Sequence, residues 1–119
     1  MIRRDESFFG LHLDLHPVME DQVYGADISE ENIRALLTDV KPDYVTYDCK
    51  GHPGVAGYPT EIGVPVPNMH QDSLAVWRKV TKEMNIPLGV HYSGVQDWAQ
   101  VRLHPEFGVQ SPDGRTDGV

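Results

Sequence analysis

The segment FFGLHLDLH, residues 8–16, carries the pattern that decides the fold. Its apolar residues recur at every second position, so one face of an extended chain holds Phe9, Leu11, Leu13 and Leu15. The opposite face holds Gly10, His12, Asp14 and His16. A period of two predicts a β-strand with one side packed and one side polar. Pro17 ends the strand, because proline has no N–H to donate to a sheet.

Two further strands alternate with two helices along the rest of the chain. Apolar spacing predicts a helix over 30–40 with Ser29 as its N-cap, and a second helix that begins after Asp72. Residues 44–50 (YVTYDCK) and 88–93 (LGVHYS) are rich in β-branched and aromatic residues and predict strands. The order strand, helix, strand, helix, strand is typical of a parallel sheet covered by helices.

The connections between these elements are asymmetric. The strand-to-helix connections have 12 residues (17–28) and 21 residues (51–71), whereas the helix-to-strand connections near 41–43 and 85–87 have about three. Barrel enzymes place their chemistry on strand-to-helix loops. Loops longer than about 12 residues are usually functional or disordered. A short helix is predicted at 97–103, followed by a turn-rich and disordered tail.

The second and third strands repeat the polar face of the first, through Thr46, Asp48, Lys50, Gly89, His91 and Ser93. A doubly wound sheet would be apolar on both faces, and no Gly-x-Gly-x-x-Gly or Walker motif is present. We therefore predict an α/β chain in which residues 1–119 form the N-terminal βαβαβ portion of a (β/α)8 barrel. The barrel is incomplete, because a full one has about 250 residues. The alternative is a complete small three-layer α/β domain.

Composition narrows the classes of partner and compartment. Eighteen acidic residues against 10 basic ones give a net charge of −8, which disfavours nucleic acid as a partner. No apolar run approaches the roughly 20 residues of a membrane span. The only cysteine, Cys49, cannot form an internal disulfide. The N-terminus lacks the apolar core of a signal peptide, so a cytoplasmic location is expected.

Three clusters carry candidate chemistry, and the first is His12-x-Asp14-x-His16. Alternation directs all three side chains to one side of the first strand. Such a set suits hydrogen bonds to sugar hydroxyls or the binding of a divalent metal such as Zn²⁺. The alternative is a structural His–Asp pair with His16 at the edge of a loop.

The second cluster is Asp48-x-Lys50-x-His52, at the end of the second strand. An unpaired buried charge is costly, so Asp48 and Lys50 are expected to pair with each other. Functionally, such a pair would orient the hydroxyls of a pyranose ring. It would otherwise be a purely structural ion pair.

The third cluster is His91-Tyr92-Ser93, followed by Trp98. Trp98 is either a stacking platform for the apolar face of a sugar or an ordinary core residue. Cys49 falls on the helix-facing side and is expected to be a small core residue. His70 and His104 are expected to lie in exposed loops. Asp14 and Asp48 are carboxyl candidates by position, but no catalytic pair is assigned, because glycosidases need two carboxyls about 5–10 Å apart.

Three stretches, FFGLHLDLHP, DYVTYDCKGHPG and PLGVHYSGVQDW, together resemble the start of α-L-fucosidase-like glycoside hydrolases of family 29 and their hypothetical glycosyl hydrolase relatives. The resemblance covers residues 8–98. The positions that match the family's patterns are His12 in the first stretch, Lys50 and His52 in the second, and Tyr92, Ser93, Asp97 and Trp98 in the third. The second stretch lacks one His and the Asp of the fucosidase pattern, which leaves the sugar open.

The resemblance implies a retaining glycosidase that acts on a carbohydrate, with no cofactor and no metal. Its nucleophile and acid/base would lie beyond Val119, so the catalytic residues stay unassigned. The residues expected to bind substrate are His12, Asp14, Asp48, Lys50, His52, His91, Tyr92, Ser93 and Trp98. Two alternatives remain: a metal-dependent amidohydrolase-type barrel portion and a non-catalytic sugar-binding module.

Overall fold

The structure is a computed structural model that describes residues 2–21, 23–114 and 116–117. Two short 3-10 helices, Arg4–Glu6 and Pro105–Phe107, flank the main elements. The strands and helices in these ranges are β1 (Gly10–Leu13), α1 (Glu30–Val40), β2 (Tyr44–Lys50), β3 (Val55–Ala56), β4 (Val64–Pro65), α2 (Ser73–Glu83), β5 (Leu88–Tyr92), α3 (Trp98–Leu103), β6 (Val109–Gln110) and β7 (Thr116–Asp117).

The main sheet is built around β2. Strands β1 and β5 lie on either side of β2 and run parallel to it, with Leu11 opposite Val45 and Val45 opposite Leu88. At the carboxyl end of β2, β3 pairs antiparallel through Lys50 and Ala56, and β4 then pairs with β3. The described part of the chain is therefore mixed α/β with a mostly parallel sheet, as the alternation of elements predicted.

Side chains at the helix starts fix both long helices. The Ser29 hydroxyl accepts a hydrogen bond from the Asn32 N–H at 3.1 Å, and the Asp72 carboxylate accepts one from the Ala75 N–H at 3.0 Å. Each cap satisfies a backbone donor that has no partner within the helix. Helix α1 ends at Val40, and its C-cap is Lys41, whose φ of 51° is left-handed and whose N–H donates to the Leu37 carbonyl. Both predicted N-caps are thereby confirmed.

The core lies between α1, α2 and one face of the sheet. Its buried residues are Ile33, Leu37, Val45, Tyr47, Cys49, Trp77 and Val80. The apolar side chains Leu11, Leu13 and Leu15 pack against this cluster, as the period of two predicted. Ile33, Leu36, Leu37 and Val40 follow the helical spacing that predicts an apolar stripe on α1, but Leu36 is exposed, so the buried stripe is narrower than the spacing suggests.

Several boundaries differ from the sequence prediction. Strand β1 is shorter than residues 8–16, because the N–H groups of Phe8 and Phe9 donate to the Asp43 carboxylate and not to a strand partner. The loop 51–71 contains β3 and β4, which are too short to show a period. In the tail, β6 pairs with β7, and residues 115, 118 and 119 lie outside the described residues. No helix in the described ranges is long and apolar enough to span a membrane.

Candidate functional site

A buried carboxylate, Asp48, lies at the centre of the polar face of the sheet. Asp48 is on β2 and its side chain is 1% exposed. One oxygen, Oδ1, lies 3.1 Å from Nε2 of His12 on β1 and 2.7 Å from Nδ1 of His91 on β5. Alternation on three parallel strands predicted that these three side chains share one side of the sheet, and the structure brings them into contact.

The loop after β1 adds two residues to this group. Nε2 of His16 lies 3.0 Å from Oδ1 of Asp14 and 3.7 Å from Oδ2 of Asp48. The imidazole of His16 sits directly against Gly51, where an added Cβ would lie 2.4 Å from a ring carbon. A larger residue at 51 would therefore displace the His16 imidazole from this position. We call His12, Asp14, His16, Asp48 and His91 the histidine cluster.

Hydrogen bonding determines the tautomers in the histidine cluster. A carboxylate only accepts hydrogen bonds, so each imidazole nitrogen that faces Asp48 must carry a hydrogen. His12 therefore donates from Nε2 and His91 donates from Nδ1. In the neutral form of each imidazole the other nitrogen is an acceptor. Because both imidazoles are about half exposed, these acceptors are available to a ligand.

His52 and Ser93 form a pair beside the histidine cluster. The imidazole of His52 lies 5.3 Å from that of His16, measured between ring centroids. The Ser93 hydroxyl donates to the Gln96 carbonyl at 2.9 Å and lies 3.2 Å from Nδ1 of His52. Because that hydroxyl has a single hydrogen, His52 is the donor in the second bond. Both predicted residues thus join the edge of the same site.

The expected pair between Asp48 and Lys50 is wrong. The Lys50 ammonium donates to Oδ2 of Asp97 at 2.8 Å and lies 4.5 Å from the centre of the Tyr92 ring. The cause is a register shift in which two residues of β2 face one residue of β5, so that Asp48 pairs with His91 and Lys50 pairs with Tyr92. Consecutive strand residues point to opposite faces, and the shift therefore separates Lys50 from Asp48.

Asp97 was not predicted to bind substrate, although it lies in the third matched stretch. Its carboxylate holds Lys50 through Oδ2 and accepts the Gln100 N–H through Oδ1 at 2.9 Å, which caps α3. A buried lysine requires an anionic partner, and Asp97 is the carboxylate of the third matched stretch. The need of Lys50 for a carboxylate partner could have identified Asp97 from the sequence. Strand alternation instead suggested Asp48 as that partner.

Trp98 lies at the start of α3 and is 45% exposed, so the core-packing interpretation is wrong. The backbone N–H of Trp98 donates to the His52 carbonyl at 3.1 Å, which fixes α3 beside the loop after β2. Trp98 lines a largely apolar cavity of about 280 Å³. Other residues of that wall are Val18, Met19, Pro53, Val55, Val64 and Leu103.

Three side chains outside the site follow the sequence prediction. Cys49 is buried in the core, and burial raises the pKa of its thiol. The thiol donates to the His91 carbonyl, with Sγ and O 3.0 Å apart. His70 and His104 are exposed, and His104 stacks on Phe107. None of these is a candidate for chemistry in the cluster.

Comparison with known proteins identifies a likeness of fold. No protein-family model and no curated protein matches this chain. Among solved structures, alpha-L-fucosidase isoenzyme 2 from Paenibacillus thiaminolyticus superposes with a TM-score of 0.87 over 95% of this chain, at 20% sequence identity. This chain spans 17% of the length of that protein. At this identity the likeness shows a shared arrangement of elements, and the chemistry has to be argued from the site.

Proposed function

We propose that the chain is a portion of a glycoside hydrolase barrel, and that the histidine cluster binds the hydroxyl groups of a sugar. The observation that carries the proposal is the buried carboxylate of Asp48, which holds one imidazole from each neighbouring parallel strand. The fold is shared with part of a protein named as a fucosidase, which supports a glycosidase origin. The stretches around His12, His52 and Ser93 resemble the same family.

The barrel itself is part of the proposal, with residues 1–119 as its N-terminal portion. Strands β1, β2 and β5 lie side by side in the sheet and run parallel, and α1 and α2 cover one face, as in a barrel wall. On β5, Val90 is 60% exposed and Tyr92 is 54% exposed. In a closed barrel, further strands and helices would cover these apolar side chains, since barrel closure removes sheet edges.

The cluster has the chemistry that a sugar requires. The unprotonated nitrogens of His12 and His91 accept hydrogen bonds from hydroxyl groups, while Asp48 fixes the ring orientation from behind. The exposed carboxylate of Asp14 accepts a further hydroxyl hydrogen. A half-exposed aromatic ring such as Trp98 can cover the apolar face of a sugar or of its leaving group. Lys50 and Tyr92 lie against Asp97 beyond the register shift, and the proposal gives them no contact with the histidine cluster.

The retaining mechanism belongs to this proposal as well. A retaining glycosidase needs two carboxyl groups about 5–5.5 Å apart, one as nucleophile and one as acid/base. We assign neither role to Asp14 or Asp48, because His16 binds the first and two imidazoles hold the second. The catalytic pair is proposed to come from chain outside these 119 residues. The 119-residue chain should therefore bind a sugar without hydrolysing aryl glycosides.

The test is a titration of the isotopically labelled chain with L-fucose, D-galactose and D-glucose, followed by NMR. We expect one sugar to shift the imidazole signals of His12 and His91, and Asp48→Asn to weaken that binding at least tenfold. His104→Gln, which changes an exposed histidine outside the cluster, should bind as the parent does. Shifts confined to other residues, or equal binding by Asp48→Asn and the parent, would contradict the proposal.

A further inference from the structure

We propose that His12, Asp14 and Asp48 form a binding site for a divalent transition-metal ion of the zinc type, independently of any sugar. Each residue offers one ligand atom, and these atoms lie within 4.8 Å of one another. Zinc bonds of about 2.0–2.2 Å place neighbouring ligand atoms roughly 3.3 Å apart in a tetrahedral site. The 3.1 Å separation between Nε2 of His12 and Oδ1 of Asp48 already matches that edge.

Asp14 is the ligand of the proposed metal site whose side chain can rotate. Its side chain is 74% exposed, so rotation of the carboxylate toward His12 and Asp48 meets little steric resistance. Nε2 of His12 is the proposed ligand atom, so in the metal-bound state this nitrogen presents its lone pair and its hydrogen moves to Nδ1. The imidazole is 55% exposed, which leaves a path for the ion from solvent.

The neighbouring histidines act as outer partners of the two carboxylates. His91 lies 2.7 Å from Asp48 and His16 lies 3.0 Å from Asp14. Hydrogen bonds from a second layer orient metal ligands and contribute strongly to affinity. One imidazole and two carboxylates form a mixed nitrogen and oxygen set, which suits zinc better than magnesium, an ion that prefers oxygen alone.

The charge around Asp48 supports the same inference. Its ion-pair partners among the described residues are histidines, and the Lys50 ammonium pairs with Asp97 instead. A buried carboxylate whose partners are imidazoles, with Asp14 beside it, leaves negative charge on the polar face. A divalent cation would neutralise both carboxylates and so offset the cost of burying Asp48.

The experiment measures metal binding by the untagged 119-residue chain. Calorimetry with Zn²⁺ should give one ion per chain, and Co²⁺ should give the strong visible absorption of a four-coordinate site. Asp14→Asn and His12→Gln should each weaken Zn²⁺ binding at least tenfold, since the loss of even an outer-shell partner costs about 10–100-fold in affinity. Circular dichroism checks the fold, and Asp14→Asn changes a side chain that is 74% exposed.

A matched control separates this site from surface binding. His104 lies 3.3 Å from Glu106 and is an exposed His–carboxylate pair outside the cluster. His104→Gln should leave Zn²⁺ affinity unchanged. The proposal is overturned if the parent binds no Zn²⁺ below millimolar concentration, or if Asp14→Asn and His12→Gln both bind Zn²⁺ as the parent does. Sugar titrations repeated in chelator distinguish the two proposals. Sugar binding without Zn²⁺ affinity would contradict only the metal site. Zn²⁺ affinity without sugar binding would contradict only the proposed sugar site.

Discussion

Asp43 ties the segment before β1 to the start of β2. Its carboxylate accepts hydrogen bonds from the N–H groups of Phe8 at 2.7 Å and Phe9 at 2.8 Å, and its own N–H donates to the Phe9 carbonyl. These backbone hydrogen bonds favour the charged form and lower the pKa of Asp43 below its ordinary value of 3.8. The single side chain thus replaces the ladder hydrogen bonds that residues 8 and 9 would otherwise make.

We predict that Asp43→Asn lowers the urea midpoint near neutral pH but has little effect in acid. The pKa of Asp43 is lower in the folded chain than in the unfolded chain. Its contribution is therefore present above the unfolded value and is lost as pH falls through the folded value. Urea melts at pH 7 and at a pH below the lowered folded pKa of Asp43 measure this. Asp27→Asn, at an exposed turn, is the control. An equal difference from the parent at both pH values would contradict the explanation.

At the same scale, alternation was sufficient for some site residues and insufficient for others. His12, Asp48 and His91 follow a period of two on adjacent parallel strands, so their convergence was predictable. The partner of Lys50 could not be predicted from alternation, because a register shift depends on how two strands pair and not on the sequence of one strand. His16 reaches Asp48 from a loop, where periodicity has no meaning.

Among the elements, β2 and α3 meet at a closely packed junction around Gly54. Gly54 has a φ of +80°, and an added Cβ would lie 2.0 Å from Oδ1 of Asp97 and 2.9 Å from the backbone nitrogen of Ala99. The Ala99 N–H also donates to the Pro53 carbonyl at 3.0 Å. Any side chain at 54 would therefore push α3 and the Asp97 carboxylate away from the loop.

We predict that Gly54→Ala destabilises the chain more than Gly63→Ala does. Both glycines have positive φ, of +80° and +83°, so both variants pay a backbone strain of about 1 kcal/mol. An added Cβ at Gly63 meets no atom within 4 Å, and the matched pair therefore isolates the steric term. Urea melts of the two variants give the difference. Equal losses would show that α3 shifts freely and that Asp97 is not held in place.

The elements also show which local signals were reliable. Helices α1 and α2 and strand β2 were predictable within a residue or two, because caps, apolar stripes and β-branched runs agree with one another. Strands β3 and β4 were missed, because their pairing depends on β2 and not on their own sequence. The fold class followed from the order of the long elements. Closure into a barrel is a property of the whole ring of strands, and three strands cannot specify it.

Across the whole molecule, the core joins both long helices to one face of the sheet through β2. Cys49 lies in this core and is 5% exposed, so its thiol reports on the opening of the central strand. Burial raises the pKa of the thiol and reduces the reactive thiolate, and the surrounding side chains also block a reagent. Reaction of Cys49 therefore requires an opening of the fold.

We predict that Cys49 reacts with a disulfide reagent at least a thousandfold more slowly in native buffer than in urea, since a stable domain opens rarely. Trp77→Ala removes a core side chain across from Tyr47, with ring centroids 6.3 Å apart, and should cost about 3–5 kcal/mol. If the thiol reacts through global opening, this variant accelerates labelling by the same factor by which it raises the unfolding equilibrium constant obtained from urea melts. Labelling that is unchanged in Trp77→Ala would instead show that β2 opens locally. A parent thiol that reacts as fast as in urea would show that the 119 residues form no stable core without further chain.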